Sequence, residues 1–222
     1  MNYTPQNPDW QYSVISIPNS ELIQQELLAV FWKLTGTAPE GTAFISLYSH
    51  QHVAEWQSLL HLNQWLKTLG LENRDKLCYF SVLNHASINP IHVDYANEER
   101  FISINIPLLN CENSFTVWYD ADIDHTRKIK ETMAPNTVQR LLIYDESAEE
   151  YFTGETSYWC HQENAVEINR VECVTPMLVN TSLPHRPVVD HNNLRVLFAM
   201  RILPELSKEE LSRFQLQTPL FN

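Results

Sequence analysis

From Leu77 onward the chain consists of short apolar segments separated by polar or proline-bearing loops, and this pattern restricts the fold more than any other feature. Segments of this length with turn residues between them are typical of an antiparallel sandwich or barrel. A long polar connection at 120–136 predicts a loop of the kind that often covers a site. Strands are predicted at 77–83, 88–93, 101–107, 114–119, 140–144, 166–174, 177–180, 186–189 and 194–202.

The first 76 residues differ because their apolar positions recur at helical spacing. Helices are predicted at 20–34 and 52–69, with a short strand at 41–48 between them. Ser207 is predicted to cap a short helix near the end of the chain. The whole chain, 1–222, is therefore expected to form one domain. Its parts are a helical support at 1–76, a jelly-roll core at 77–203, and a C-terminal helix and tail at 204–222.

Composition argues against several classes of protein. With 4 glycines against 12 prolines, the chain has no Gly-rich phosphate-binding loop. A formal net charge of −12 disfavours nucleic acid as a partner, because phosphate backbones repel an acidic surface. No apolar stretch reaches the roughly 20 residues of a membrane-spanning helix, and the N-terminus does not resemble a signal peptide. The scattered Cys78, Cys111, Cys160 and Cys173 predict free thiols. We therefore expect a cytoplasmic protein that binds neither nucleic acid nor membranes.

The tripeptide His92-Val93-Asp94 is the first candidate for a site. In an extended segment, residues two positions apart point to the same side, so the imidazole and the carboxylate can meet at one point. Most tripeptides of this composition lie on surfaces or in loops, and the tripeptide alone is weak support for a metal site.

A second histidine, His185, follows the strand-like segment 177–180 and a polar turn. Two histidines and one carboxylate form the facial triad that holds Fe(II) and leaves its other positions open. His191, six residues further on, is the alternative distal ligand. The strand pattern around His185 and its spacing to Arg195 favour His185.

Arg195 lies within an apolar strand, where an unpaired charge is costly. A carboxylate would satisfy its guanidinium, and that carboxylate could belong to a co-substrate or to an Asp or Glu of the protein. Arg201 lies on the same face by alternation and is the competing candidate. Tyr79 and Asn105 are further candidates for contact with the co-substrate, although a core tyrosine and a solvent-facing asparagine are the ordinary alternatives.

The ordered set of His92, Asp94, His185 and Arg195 resembles the Fe(II)/2-oxoglutarate-dependent dioxygenase superfamily. The segment from 178 to 188 is similar in texture to the aspartyl/prolyl hydroxylase-like and phytanoyl-CoA-hydroxylase-like branches. The resemblance covers about residues 77–203, and the first 76 lie outside it.

This resemblance implies a double-stranded β-helix, a cupin-like jelly roll, with the N-terminal helices packed on it. It implies that His92, Asp94 and His185 bind Fe(II), and that Arg195 pairs with the distal carboxylate of 2-oxoglutarate. With O2, such an enzyme would hydroxylate a small-molecule or peptidyl substrate and release succinate and CO2. Two alternatives stay open: a cupin-type metalloenzyme that does not use 2-oxoglutarate, and a non-catalytic jelly-roll binding protein. The sequence indicates neither the substrate nor the oligomeric state.

Overall fold

The computed structural model describes residues 10–39, 43–47, 51–83, 89–96, 99–100, 102–133, 139–143 and 156–216. Strands dominate these residues, and most of the helices precede the main strands. In chain order the elements are β1 (Tyr12–Ser16), α1 (Ser20–Thr35), β2 (Ala43–Ser46), α2 (Val53–Ser58), α3 (Leu60–Thr68), β3 (Asp75–Leu83), β4 (His92–Ala96), β5 (Glu99–Arg100), β6 (Ile102–Leu109), β7 (Ser114–Asp120), β8 (Ile123–Met133), β9 (Gln139–Ile143), β10 (Thr156–Cys160), β11 (Val166–Glu172), β12 (Met177–Asn180), β13 (His185–Val189), β14 (Arg195–Leu203), α4 (Lys208–Ser212) and β15 (Gln215–Leu216).

Two antiparallel sheets form a jelly roll. One contains strands in the order β3-β14-β6-β12, and the other has the order β4-β13-β7-β11. The sheets face each other, because Trp118 of β7 packs against Val179 of β12 and Asp94 of β4 pairs with Arg201 of β14. Strands β11 to β14 alternate between the two sheets, as strands of a jelly roll do. The predicted mainly β, jelly-roll architecture is confirmed.

The long strand β8 connects the two sheets along one side. Its first part pairs with β10, which continues the sheet of β4, and its last part pairs with β9. Strand β9 pairs with β2, and β2 pairs with β3 of the other sheet. The result is one curled, half-closed sheet in which the interior lies between β4 and β14.

The N-terminal helices cover the outer face of the β14 sheet, as predicted. Alternate residues of β14, including Phe198 and Met200, join α1 residues Leu27 and Phe31 in the largest apolar core. The intervening residues, from Arg195 to Arg201, face the other way, into the space between the sheets. One face of β14 therefore anchors the fold and the other lines the interior.

The strands predicted after Leu77 overlap strands of the structure, with ends shifted by a few residues; positions 88, 101 and 144 lie outside the described residues, and the strand predicted at 88–93 overlaps β4 only at His92 and Val93. The capping box of Ser207 and Glu210 at α4 confirms the predicted C-terminal helix. Three expectations are wrong in detail. The helix predicted at 52–69 is broken at Leu59, whose ψ of 65° is not helical. The loop predicted at 120–136 is largely strand β8, with 134–136 outside the described residues. Strand β1 was not expected, and it exists because it pairs with β12, far along the chain.

The cysteines are free and buried, which confirms the prediction of free thiols. Within the described ranges, the structure has no helix that is both long and apolar enough to span a membrane.

Candidate metal centre

Two neighbouring strands build the centre of the candidate site. His92 and Asp94 lie on β4 two positions apart, so their side chains share one face of the sheet. His185 is the first residue of β13 and pairs directly with His92 across the two strands. One potential ligand atom from each of the three side chains lies within 4.8 Å of the others. The structure thus brings together the three residues that the sequence indicates as metal ligands.

Backbone carbonyls orient both imidazoles. Nδ1 of His92 donates to the carbonyl oxygen of Pro90 at 2.9 Å, and Nδ1 of His185 donates to that of Leu183 at 2.9 Å. Because a carbonyl only accepts, the proton sits on Nδ1 and the lone pair on Nε2. Nε2 of His92 lies 3.8 Å from Oδ1 of Asp94, and Nε2 of His185 lies 3.7 Å from Oδ2. Metal-binding histidines have this arrangement.

His185 is held in its neutral form. Burial lowers the pKa of His185 to about 4, and His92 pushes the pKa in the same direction, whereas Asp94 opposes the shift. A neutral imidazole is the form that binds a metal ion. At neutral pH the site therefore needs no proton loss from His185 before an ion can bind.

The backbone before His92 is held by the side-chain amide of Gln162. The N–H of Ile91 donates to Oε1 of Gln162 at 2.9 Å, and Nε2 of Gln162 donates to the carbonyl of Ile91 at 3.1 Å. The same Nε2 also donates to the carbonyl of Cys160. The side-chain amide thus makes the same two hydrogen bonds with the backbone of Ile91 that a neighbouring strand would make. These bonds hold the backbone next to His92 in position. Sequence reasoning missed Gln162, because a single glutamine after a strand has no recognisable pattern.

Arg201 is the ion-pair partner of Asp94 across the interior. Its Nη2 donates to Oδ2 of Asp94 at 2.6 Å and to the hydroxyl of Tyr79 at 3.0 Å. The side chains of Arg201 and Asp94 are only 5% and 6% exposed. The guanidinium also lies 5.4 Å from the centroid of the Tyr79 ring. Tyr79, a predicted contact of the co-substrate, therefore lies beside Arg201 and close to the centre of the site.

Arg195 lies on the same inner face of β14 but in a different environment. It is 2% exposed, and its Nη1 donates to Oγ of Ser81 at 3.2 Å. Its Nε is buried without a hydrogen-bond partner, and in the part of the chain that the structure describes no carboxylate pairs with it. Asn105 also faces the interior, where its Oδ1 accepts from Oγ of Ser103 at 2.7 Å. Among the described residues, Arg195 is thus a buried positive charge without a carboxylate partner.

His191, the alternative distal ligand, is engaged elsewhere. It follows β13, and its Nε2 donates to the carbonyl of Asn110 at 3.0 Å while its Nδ1 accepts from the N–H of Asn193 at 3.2 Å. Among the described residues, the cluster of possible ligand atoms contains His185 and not His191.

No protein-family model matches this chain, and no curated protein matches it in sequence. Among solved structures, the chain is similar to a prolyl-4-hydroxylase from Pseudomonas putida, with 14% identity and a TM-score of 0.29. That alignment covers 87% of this chain and 91% of the hydroxylase. So distant a likeness supports no residue role, and the functional conclusions rest on the geometry of the site.

Proposed function

We propose that the protein is a non-haem Fe(II)- and 2-oxoglutarate-dependent oxygenase that hydroxylates a small-molecule or peptidyl substrate. The observation that carries this proposal is the buried charge of Arg195, which no carboxylate of the described residues compensates, in the same interior as a His-Asp-His cluster. A metal cluster alone would fit many enzymes. A metal cluster together with a buried cation that lacks an anion fits a metal and an anionic co-substrate.

The donor set of the cluster fits Fe(II). Two imidazole nitrogens and one carboxylate oxygen form the facial set that this ion accepts, with positions left open for other ligands. His92, Asp94 and His185 would hold the ion. Arg201 occupies Oδ2 of Asp94, so that Oδ1 is the oxygen better placed for the metal.

The environment of Arg195 fits a carboxylate ligand. A guanidinium buried in protein is costly unless a hydrogen-bonded anion compensates it, and a carboxylate can accept two of its N–H groups at once. The Ser81 hydroxyl at 3.2 Å offers a further polar contact at the same place. Arg195 would bind the distal carboxylate of 2-oxoglutarate, and Asn105 and Tyr79 provide polar groups on the same inner surface.

The chemistry comes from the cofactors: with Fe(II), the 2-oxoglutarate and O2 give succinate and CO2 while one oxygen atom enters a substrate C–H bond. The contribution of the chain is to bind and to orient. The two backbone-anchored imidazoles and the Arg201–Asp94 pair fix the ligand geometry before any ion binds. Arg195 orients the co-substrate, and the buried positions of these groups keep water away from them.

The direct test is succinate formation from 2-oxoglutarate by the Fe(II)-loaded protein in air. The wild type is expected to form succinate, a His185→Gln variant to form none, and an Arg195→Met variant to need far more 2-oxoglutarate. Metal binding without any effect of 2-oxoglutarate would instead support a cupin-type enzyme that does not use this co-substrate. Failure to bind Fe(II) or Mn(II) under anaerobic conditions would support a non-catalytic binding protein.

A further inference from the structure

The candidate metal ligands lie in a row of residues that crosses one sheet. Strand pairing places Asp124 of β8 beside Trp159 of β10, Trp159 beside His92, His92 beside His185, and His185 beside Trp118 of β7. Residues directly opposite each other in neighbouring strands share a face of the sheet. The row therefore has the candidate metal centre in its middle and one tryptophan on each side.

The two ends of the row differ in their access to solvent. Trp118 is fully buried, its ring stacks on Tyr12 with centroids 5.7 Å apart, and its indole N–H donates to the carbonyl of Asn180. Trp159 and Asp124 are only half-buried. A substrate that reaches the metal from the side of Trp118 would have to displace core packing. Of these two sides, the side of Trp159 is the more accessible to solvent.

The faces of β8 and β10 can be assigned independently from their neighbours. Ile123 and Tyr158 pack in the apolar cluster that contains Val93, on the outer face of this sheet. Trp159 pairs with His92 in the regular register of β10 and β4, which places it on the face of His92. Asp124 follows Ile123 and lies opposite Trp159, at a point where the register of β8 and β10 shifts between Tyr158 and Trp159. The more accessible side of the site thus contains an aromatic ring next to His92 and, one strand further, a carboxylate.

We propose that Trp159 and Asp124 form a subsite for a positively charged nitrogen, so that the substrate is an amine or quaternary ammonium compound or side chain. This proposal rests on the proposed function, because it places the subsite beside the metal of that reaction. The face of an indole attracts cations through its quadrupole, and a carboxylate supplies the counter-charge. Both residues have contacts within the protein, but a carboxylate has about four lone-pair positions and an indole has two faces and an N–H, so each can serve a ligand alongside those contacts.

Strand spacing sets the distance between the charge and the reacting carbon. Neighbouring strands lie about 4.8 Å apart, so the backbone of Asp124 is roughly 10 Å from that of His92. The cationic group would bind over Trp159, and a C–H bond a few atoms away would reach the metal. A formal net charge of −12 favours the approach of cations over anions.

The test compares choline with 3,3-dimethylbutan-1-ol, its uncharged isostere, by calorimetry under anaerobic conditions. The protein is used both alone and loaded with Mn(II) and 2-oxoglutarate. We expect choline to bind at least about fivefold more tightly than the alcohol, because cation–π attraction requires the charge. Trp159→Leu and Asp124→Asn should each reduce this preference, whereas Trp32→Leu, at a tryptophan on α1 that is 38% exposed, should leave it unchanged.

Two results would overturn the cation subsite: equal binding of choline and the alcohol, or a preference that survives both substitutions. A lack of choline binding at millimolar concentrations would overturn it as well. The proposed function fails separately, if Mn(II) and 2-oxoglutarate do not bind. A preference for choline in protein that cannot be loaded would keep the subsite and contradict the oxygenase.

Discussion

The two arginines of β14 lie on the same face of one strand, six residues apart, and both are almost fully buried. Arg201 is compensated within the protein, since Asp94 accepts its hydrogen bond at 2.6 Å and Tyr79 accepts another. Arg195 donates to the hydroxyl of Ser81, and among the described residues no carboxylate pairs with it. The difference teaches that burial alone does not identify a functional charge. The informative charge is the one that the described residues leave without a carboxylate partner.

The two arginines are expected to have opposite effects on the free energy of unfolding of the ligand-free protein. Breaking a buried ion pair from one side is strongly destabilising, because the other charge stays behind. A buried charge that has no ionic partner already carries that cost in the folded protein. Arg201 is therefore expected to stabilise the ligand-free protein, and Arg195 is expected to destabilise it until an anion binds.

The largest effect is expected for Asp94→Ala, which would make Arg201 as uncompensated as Arg195. The free energy of unfolding should fall by about 3–5 kcal/mol, and metal binding should be lost. Chemical denaturation of the metal-free protein measures the first effect. Arg201→Met in the Asp94→Ala background should recover part of the stability, since it removes the charge left behind. Full succinate formation by Asp94→Ala would contradict the role of Asp94 as a ligand.

Arg195→Met should change the free energy of unfolding of the ligand-free protein in the opposite direction to Asp94→Ala. Removing an uncompensated buried charge is expected to raise the free energy of unfolding by about 1–3 kcal/mol. The same variant should lose the stabilisation that 2-oxoglutarate gives the metal-loaded wild type, which is about 2.7 kcal/mol at a hundred times the dissociation constant. Thermal and chemical denaturation with and without 2-oxoglutarate measure both effects. Arg201→Met is the matched control and should lower stability. If both variants lower stability equally, the two arginines do not differ as described.

Gln162→Met tests whether the hydrogen bonds of Gln162 to the backbone help to position His92, independently of Arg195 and Arg201. Methionine keeps the length of the side chain but cannot make the paired hydrogen bonds with Ile91. The affinity for Mn(II) should fall about tenfold, as is typical when a group that orients a ligand is lost. Anaerobic calorimetry measures this change, and Asn169, whose amide bonds to Gln11 away from the metal, offers Asn169→Leu as a control. Unchanged metal affinity in Gln162→Met would contradict a role for the Gln162–Ile91 hydrogen bonds in positioning His92.

The smallest effect concerns pH and the His185 imidazole, which lies on the side of Arg201. Burial, with His92 and more weakly Arg201, lowers the pKa of His185 to about 4 from 6.5. Between these values the unfolded chain binds more protons than the folded one, so stability falls as the pH falls through this window. From neutral pH to about pH 5.5 the loss should be roughly 1 kcal/mol in the metal-free protein. His185→Gln should flatten this part of the stability curve, and an unchanged curve would mean that His185 is not the group responsible.

Much of the fold could be predicted because most strands bury one face and show it as alternation. Strand β8, with Asp124 near its start, and strand β10, which ends at Cys160, were missed. The sequence of β8 is largely polar, and its pairing depends on strands distant in the chain. Such pairings are formed by tertiary contacts and do not show as local periodicity.

In the candidate site, too, the local sequence pattern predicts some features, whereas others depend on contacts between residues distant in the chain. Alternation placed His92 beside Asp94, and strand context selected His185 over His191. Alternation could not separate Arg195 from Arg201, because both occupy the same face. Only the facing sheet distinguishes them, since Asp94 reaches one arginine and not the other.

The most direct test of the central claim is the titration of 2-oxoglutarate into Mn(II)-loaded protein under anaerobic conditions, with Arg195→Met beside the wild type. We expect 2-oxoglutarate to bind the Mn(II)-loaded wild type, and its affinity to fall by about a hundredfold or more in Arg195→Met, which corresponds to roughly 3 kcal/mol for a lost charge-assisted pair. Equal affinity of the wild type and the variant, with Mn(II) bound to both, would contradict it.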